Sequence, residues 1–224
     1  MKAVVKILIL VLAFSLWADV ARAATDFQLW MEGGIRYRIS RKLHFRFDQM
    51  VRLNNNARNW RRIAPEVAVQ YRFFRWFRVT GGYRFIIDPR EDSDGKYANL
   101  WHRFFVDTMF RHRMRPVVLS WRIRFQEQFG WPRGETGVEF RHTIRNRGKI
   151  AIRLPKGFEP YVSGEFFLRI NDPNGVWHKW RATLGSTFRY KAHEFGLFWR
   201  GEGLLDDPDE PTRNIVGTSY HYHF

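Results

Sequence analysis

Arg213-Asn-Ile-Val-Gly-Thr-Ser-Tyr-His-Tyr-His-Phe224 decides how the rest of the chain is read. In an extended strand, side chains alternate between two faces. Val216, Thr218, Tyr220, Tyr222 and Phe224 then share one face, and Gly217, Ser219, His221 and His223 share the other. In a soluble domain, Tyr222 and Phe224 would need another element to cover them. A strand of this kind asks for an apolar surrounding on one side and a polar one on the other.

The terminal strand resembles that of bacterial outer-membrane β-barrels, in which Tyr220, Tyr222 and Phe224 would be the signal read by the barrel insertion machinery. The opposite end agrees. Lys2 and Lys6 precede an apolar run from Ile7 to Trp17, followed by Ala21-Arg22-Ala23. This reads as a secretory signal peptide over residues 1–23, cut after Ala23, and the run is shorter than the roughly 20 residues of a spanning helix. No Cys follows the run, which argues against a lipid anchor. The chain has no cysteine at all, which excludes disulfides and thiolate metal sites.

Composition sets this chain apart from a secreted soluble domain. Aromatic residues make up 17% of 224 residues and the formal charge is +16. Removing Lys2, Lys6, Arg22 and Asp19 with the signal leaves 35 basic and 21 acidic residues, or +14. Only eight of the 38 basic residues are Lys. Basic proteins commonly partner nucleic acid or anionic lipid. Here, however, the arginines are threaded singly between aromatics, and with secretion this argues against nucleic acid.

The alternation seen in the last strand recurs from residue 27 onward. Phe27, Leu29, Met31, Gly33, Ile35 and Tyr37 alternate with Gln28, Trp30, Glu32, Gly34, Arg36 and Arg38. Val117, Leu119, Trp121, Ile123 and Phe125 likewise oppose Ser120, Arg122, Arg124 and Gln126. About eleven such segments follow one another, separated by turns at Ser40–Lys42, Phe74–Trp76 and His112–Pro116 and by longer stretches such as Asp88–Gly95 and Leu205–Pro211. No helical period persists, so residues 24–224 read as one all-β domain.

A secreted β-sandwich that binds a ligand is the alternative. Sandwich strands average five or six residues, whereas a membrane strand needs about 9–11. The apolar face is rich in Trp, Tyr and Phe near strand ends, as an interfacial girdle requires. In lipid the sheet must close on itself. The expected fold is therefore a single-chain antiparallel transmembrane β-barrel in the outer membrane of a Gram-negative bacterium. The usual even strand number gives 12 strands, or 10 as the alternative, with Gly148–Leu154 as the segment whose assignment is open.

Trp30, Gly82-Tyr83, Arg122-Ile-Arg-Phe-Gln-Glu127, Glu165-Phe166 and Arg181 followed by Gly185 together resemble the uncharacterised outer-membrane barrel family known as domain of unknown function 2490, DUF2490. The resemblance spans nearly all of residues 24–224 and implies fold and location, but no activity. That family places a Glu close behind its paired Arg; here Gln126 stands first and Glu127 follows, on the other face.

If the aromatics face lipid, the lumen receives Arg36, Arg38, Arg46, Arg62, Arg72, Arg78, Arg84, Arg103, Arg122, Arg124, Arg141, Arg169, Arg181, Arg189 and Arg200. Fewer carboxylates join them: Glu32, Asp48, Glu66, Asp107, Glu139 and Glu165. Neighbouring strands can pair these charges into a side-chain-filled interior. The excess of cations also suits a narrow passage for small anionic solutes. Arg122, Arg124, Glu165, Arg181 and Arg200 are the candidate binding residues. A lipid-modifying hydrolase is the enzymatic alternative, but Ser219, His221 and His223 lie at the periplasmic end of the last strand. No carboxylate stands at a clear spacing to complete a metal site with these histidines, so neither metal nor cofactor is expected. The remaining partners implied are outer-membrane lipid and lipopolysaccharide.

Overall fold

The computed structural model describes residues 27–92, 95–133, 137–171, 176–207 and 209–224; the expected signal peptide lies outside them. The described residues form eleven strands, β1 (Phe27–Arg38), β2 (Leu43–Asn54), β3 (Asn59–Arg72), β4 (Phe77–Asp92), β5 (Gly95–Met114), β6 (Val117–Trp131), β7 (Glu139–Ile152), β8 (Phe158–Arg169), β9 (Trp177–Tyr190), β10 (His193–Leu204) and β11 (Arg213–His223). One short 3₁₀ turn at Pro155–Gly157 leads into β8. Strand lengths of 11 to 20 residues exceed what a membrane strand requires.

Each strand pairs antiparallel with its sequence neighbour, and the sheet closes by pairing β1 with β11 in parallel. Closure satisfies every strand edge internally, which lipid demands and an open sandwich does not provide. The fold is thus the expected membrane-spanning all-β barrel, and the β-sandwich alternative is excluded.

The count is eleven among the described residues, not the twelve or ten expected. An even number makes the closing pair antiparallel; here the parallel register from Phe27↔Asn214 to Arg36↔His223 closes the ring with one strand fewer. The open segment is settled too, because Gly148 to Ile152 continues β7 without a break. A second correction concerns Asp88–Gly95, read as a loop from its Asp-Pro-Arg-Glu-Asp composition. Asp88 to Asp92 instead extend β4, with Pro89 opposite Ala98 of β5.

One rim carries the turns at residues 39–42, 73–76, 115–116, 153–157 and 191–192, and Phe224. The other is where β2, β4, β6, β8 and β10 end and β3, β5, β7, β9 and β11 begin. The outward face is apolar and exposed: Val106 is 51% exposed, Val162 51% and Leu197 56%. Rings gather at both rims. Tyr37, Tyr222 and Phe224 stand with Phe74 and Trp76 at the short-turn rim, and Trp60, Trp131 and Trp177 at the other. These are the girdles of a lipid-embedded barrel. The terminal strand behaves as its alternation requires, with Tyr220 and Phe224 exposed outside and Ile215, Gly217 and His221 buried inside.

Candidate functional site: the arginine-lined lumen

The inward positions of nearly every strand carry a guanidinium or a carboxylate, and the register decides which of them meet. Asp107 on β5 receives both Arg124 nitrogens from β6, at 2.5 and 2.7 Å. Glu165 on β8 collects Arg122 at 2.5 Å, Arg145 at 2.9 Å and Arg181 at 3.7 Å. Glu66 bridges Arg46 and Arg84, each at 2.7 Å. Asp88 holds Arg62 in a two-pronged pair at 2.6 and 2.5 Å. Glu202 accepts from Arg181 and lies 3.6 Å from Lys179 and 3.5 Å from Arg213. All five carboxylates are buried, so each is committed to its cations.

The lumen also contains aromatic faces. Trp30, Phe105 and Phe167 are buried inward, and cations sit over all three. Arg124 lies 3.9 Å above Phe105, while Arg145, Arg181 and Lys179 lie 4.6, 4.6 and 4.7 Å from Phe167. Trp30 receives Arg52 at 3.6 Å and Arg200 at 5.0 Å. A ring face attracts a cation without neutralising it. Glycine makes space for Phe105 and for Phe198, whose ring lies 4.6 Å from the Arg200 guanidinium. A Cβ at Gly82 would stand 2.4 Å from Phe105 Cζ, and one at Gly217 would stand 2.1 Å from Phe198 Cζ.

Several cations have no carboxylate. Arg103 donates only to Gln128, Arg200 donates to Thr183 at 2.9 Å, and Arg52 donates to the Met50 sulfur. Neither these three nor Arg147 makes an ion pair among the described residues. They face a cavity of about 430 Å³ whose described lining includes sixteen arginines and Lys179 against five carboxylates. A second cavity of about 620 Å³ opens toward the short-turn rim and shares Arg36 and Arg46 with the first. Two inward-facing spaces meeting at one waist form a lumen divided by the Arg36–Asp48–Arg46–Glu66 run.

The expected binding residues Arg122, Arg124, Glu165, Arg181 and Arg200 all line the lumen, but they do not play one part. The first four are tied into ion pairs, and only Arg200 keeps its charge unneutralised. Sequence reasoning passed over Arg52, Arg145, Arg147 and Lys179 as lumen cations, Glu202 as the partner of Lys179 and Arg181, and Asp88 as the partner of Arg62. For Arg52, Arg145 and Lys179 the signal was present in the alternation itself. Gln126 is buried inside and accepts from Arg145, whereas Glu127 faces outward, 3.8 Å from His142. The displaced Glu is therefore not a lumen partner.

Glu32, Asp48 and His221 are the one group of metal-ligating type that comes together among the described residues. His221 Nε2 is 3.1 Å from Glu32 and 3.3 Å from Asp48, joining β11 to β1 and β2 across the closing seam. No spacing along the chain foreshadows it, since 189 residues separate His221 from Glu32. Arg36 already occupies Asp48 Oδ1 at 2.5 Å, so the cluster is satisfied as an ion-pair clasp. No hydrogen bond links Ser219 to His221 or His223 among the described residues, and the pair a hydrolase would need is not assembled there.

Residues 27–199 match the family described as "Protein of unknown function (DUF2490)". Comparison with curated proteins finds no match. Among solved structures the chain is similar to one described as "KdgM porin in complex with disordered oligogalacturonate". The identity is 13% and the TM-score 0.49, over 89% of this chain and 98% of the other. With the family match spanning most of the described barrel, the chain belongs to the DUF2490 family.

Proposed function

We propose that the protein is a non-enzymatic outer-membrane barrel whose lumen admits small anions through a narrow, arginine-lined passage. The observation that carries this reading is the imbalance at the 430 Å³ cavity, where sixteen arginines and Lys179 face five carboxylates among the described residues. Cations left without partners in a low-dielectric wall lower the energy of an entering anion and raise that of a cation. The ring-stacked arginines Arg52 and Arg200 keep donors available to a passing oxyanion, because a guanidinium carries five and, among the described residues, Arg52 uses one on the Met50 sulfur and Arg200 one on Thr183.

In this reading the chain is exported by a cleaved signal at residues 1–23 in a Gram-negative bacterium. Tyr220, Tyr222 and Phe224 guide its insertion, and its rims meet phospholipid and lipopolysaccharide. Proteoliposome swelling tests the passage. Liposomes holding the refolded barrel should swell faster in iso-osmotic potassium acetate, with valinomycin carrying the counter-ion, than in neutral disaccharide. Equal rates, at the level of empty liposomes, would count against a passage and favour a barrel closed by its own ion pairs.

A further inference from the structure

The lipid-facing wall carries an apolar groove on the outer side of β6 to β8. On the outer side of β7 and β8, Gly148 and Gly164 stand directly opposite each other, and a Cβ built at either meets nothing within 4 Å. The wall there falls to bare backbone. Rings bound the depression on one side: Trp76 stacks on Phe110 at 6.1 Å, and Phe110 contacts Trp121 at 5.9 Å. Trp121 is fixed by a hydrogen bond from its indole nitrogen to Asn146 Oδ1. Ile150 and Val162 complete a groove of about 600 Å³. That volume lies within the range of about 300–1,000 Å³ typical of ligand pockets.

The groove does not end in lipid. It shares Trp76, Arg111 and His112 with a second cavity of about 750 Å³ at the short-turn rim, lined also by Arg75, Arg113 and Arg115; Arg111 and Arg113 reach this rim from inward positions of β5, where they also line the lumen. None of these four arginines makes an ion pair among the described residues. Arg111, common to both spaces, leaves its Nε buried without a hydrogen-bond partner. An apolar slot at membrane depth therefore runs into an unneutralised basic patch at the headgroup level.

We propose that this continuous surface is a binding site for one anionic phospholipid of the adjoining leaflet. Its acyl chain lies over Gly148 and Gly164 against the Trp76–Phe110–Trp121 wall, and its phosphate meets Arg75, Arg113 and Arg115. Acyl chains gain no hydrophobic energy by leaving lipid for protein, so packing in the slot selects shape. Charge at the rim selects the headgroup, as basic pockets on membrane proteins do. A glycerol headgroup bearing one net negative charge is preferred over a zwitterionic choline.

Native mass spectrometry of the full-length barrel, released from nanodiscs containing equal phosphatidylglycerol and phosphatidylcholine of matched chains, tests the site. One retained lipid, predominantly phosphatidylglycerol, is expected. Arg75→Gln with Arg113→Gln and Arg115→Gln should erase the headgroup preference, by about fivefold per arginine. Gly164→Leu, whose Cβ meets nothing within 4 Å, extends into the slot and should reduce retention of both lipids while the barrel remains heat-modifiable. Equal retention of the two lipids by the wild type would overturn the proposal. So would unchanged retention in Gly164→Leu, which stands even if the triple variant fails to fold.

Discussion

Two stretches of the lumen wall hold their arginines in opposite ways. Along β5 to β8, Arg122, Arg124 and Arg145 end on Asp107 or Glu165. Near the closing seam, Arg52 and Arg200 lie over Trp30 with no carboxylate. In the first region these three cations are cancelled, and their side chains act as struts between strands. In the second, ring faces hold the cation in place and leave its charge for the lumen. An arginine count alone does not describe such a barrel; the partner decides whether a guanidinium builds the wall or keeps its charge toward the lumen.

The contrast can be broken most severely at Glu165. Replacing it by Gln leaves Arg122, Arg145 and Arg181 facing each other in a buried site. The expected loss is about 3–5 kcal/mol of stability, measured by urea unfolding in micelles. Asp107→Asn orphans a single guanidinium that retains its seat over Phe105, so a loss near the lower end, about 3 kcal/mol, should follow in the same assay. Across the lumen, Trp30→Leu removes the face under Arg52 and Arg200 and should cost about 2 kcal/mol. Arg200→Met sharpens the distinction from the other side. Removing an unneutralised cation leaves no orphaned carboxylate, so stability should change by less than about 1 kcal/mol, while anion preference in bilayer recordings declines.

The smallest effect lies outside the wall. Asp206, in the connection after β10, bonds His178 Nδ1 at 2.5 Å. Partial burial pushes its carboxyl upward, but the hydrogen bond and charge of His178 outweigh this and hold it below the ordinary 3.8. A depressed carboxyl stabilises the folded state fully above its unfolded value. That contribution is lost as pH falls below 3.8 through the folded value. Protection factors at residues 205–207, corrected for intrinsic exchange, should therefore fall at pH 3 relative to pH 5, with those of the barrel strands unchanged.

Much of the fold was legible because alternation with period two is local. Gln28, Trp30 and Glu32 point inward, as their spacing from Phe27, Leu29 and Met31 demands. What escaped was non-local. Asp88 reads as loop chemistry beside Pro89, and only its pairing with β5 keeps it in a strand beside Arg62. The odd closure follows from the register between β1 and β11, which no single segment encodes. The five candidate site residues were placed on the correct face by alternation. Their division into paired and unpaired cations depends on cross-strand neighbours, and so was invisible. The Glu32–Asp48–His221 clasp shows the same limit, since it exists only once the ends of the sheet meet.

In the proposed function, unneutralised lumen arginines make the passage prefer anions. The most direct test is the reversal potential of the refolded barrel in a planar bilayer under a tenfold potassium chloride gradient. The account predicts steady conductance with the potential displaced toward the chloride equilibrium value. A displacement toward the potassium value, or no conductance from a heat-modifiable, β-rich sample, would contradict it.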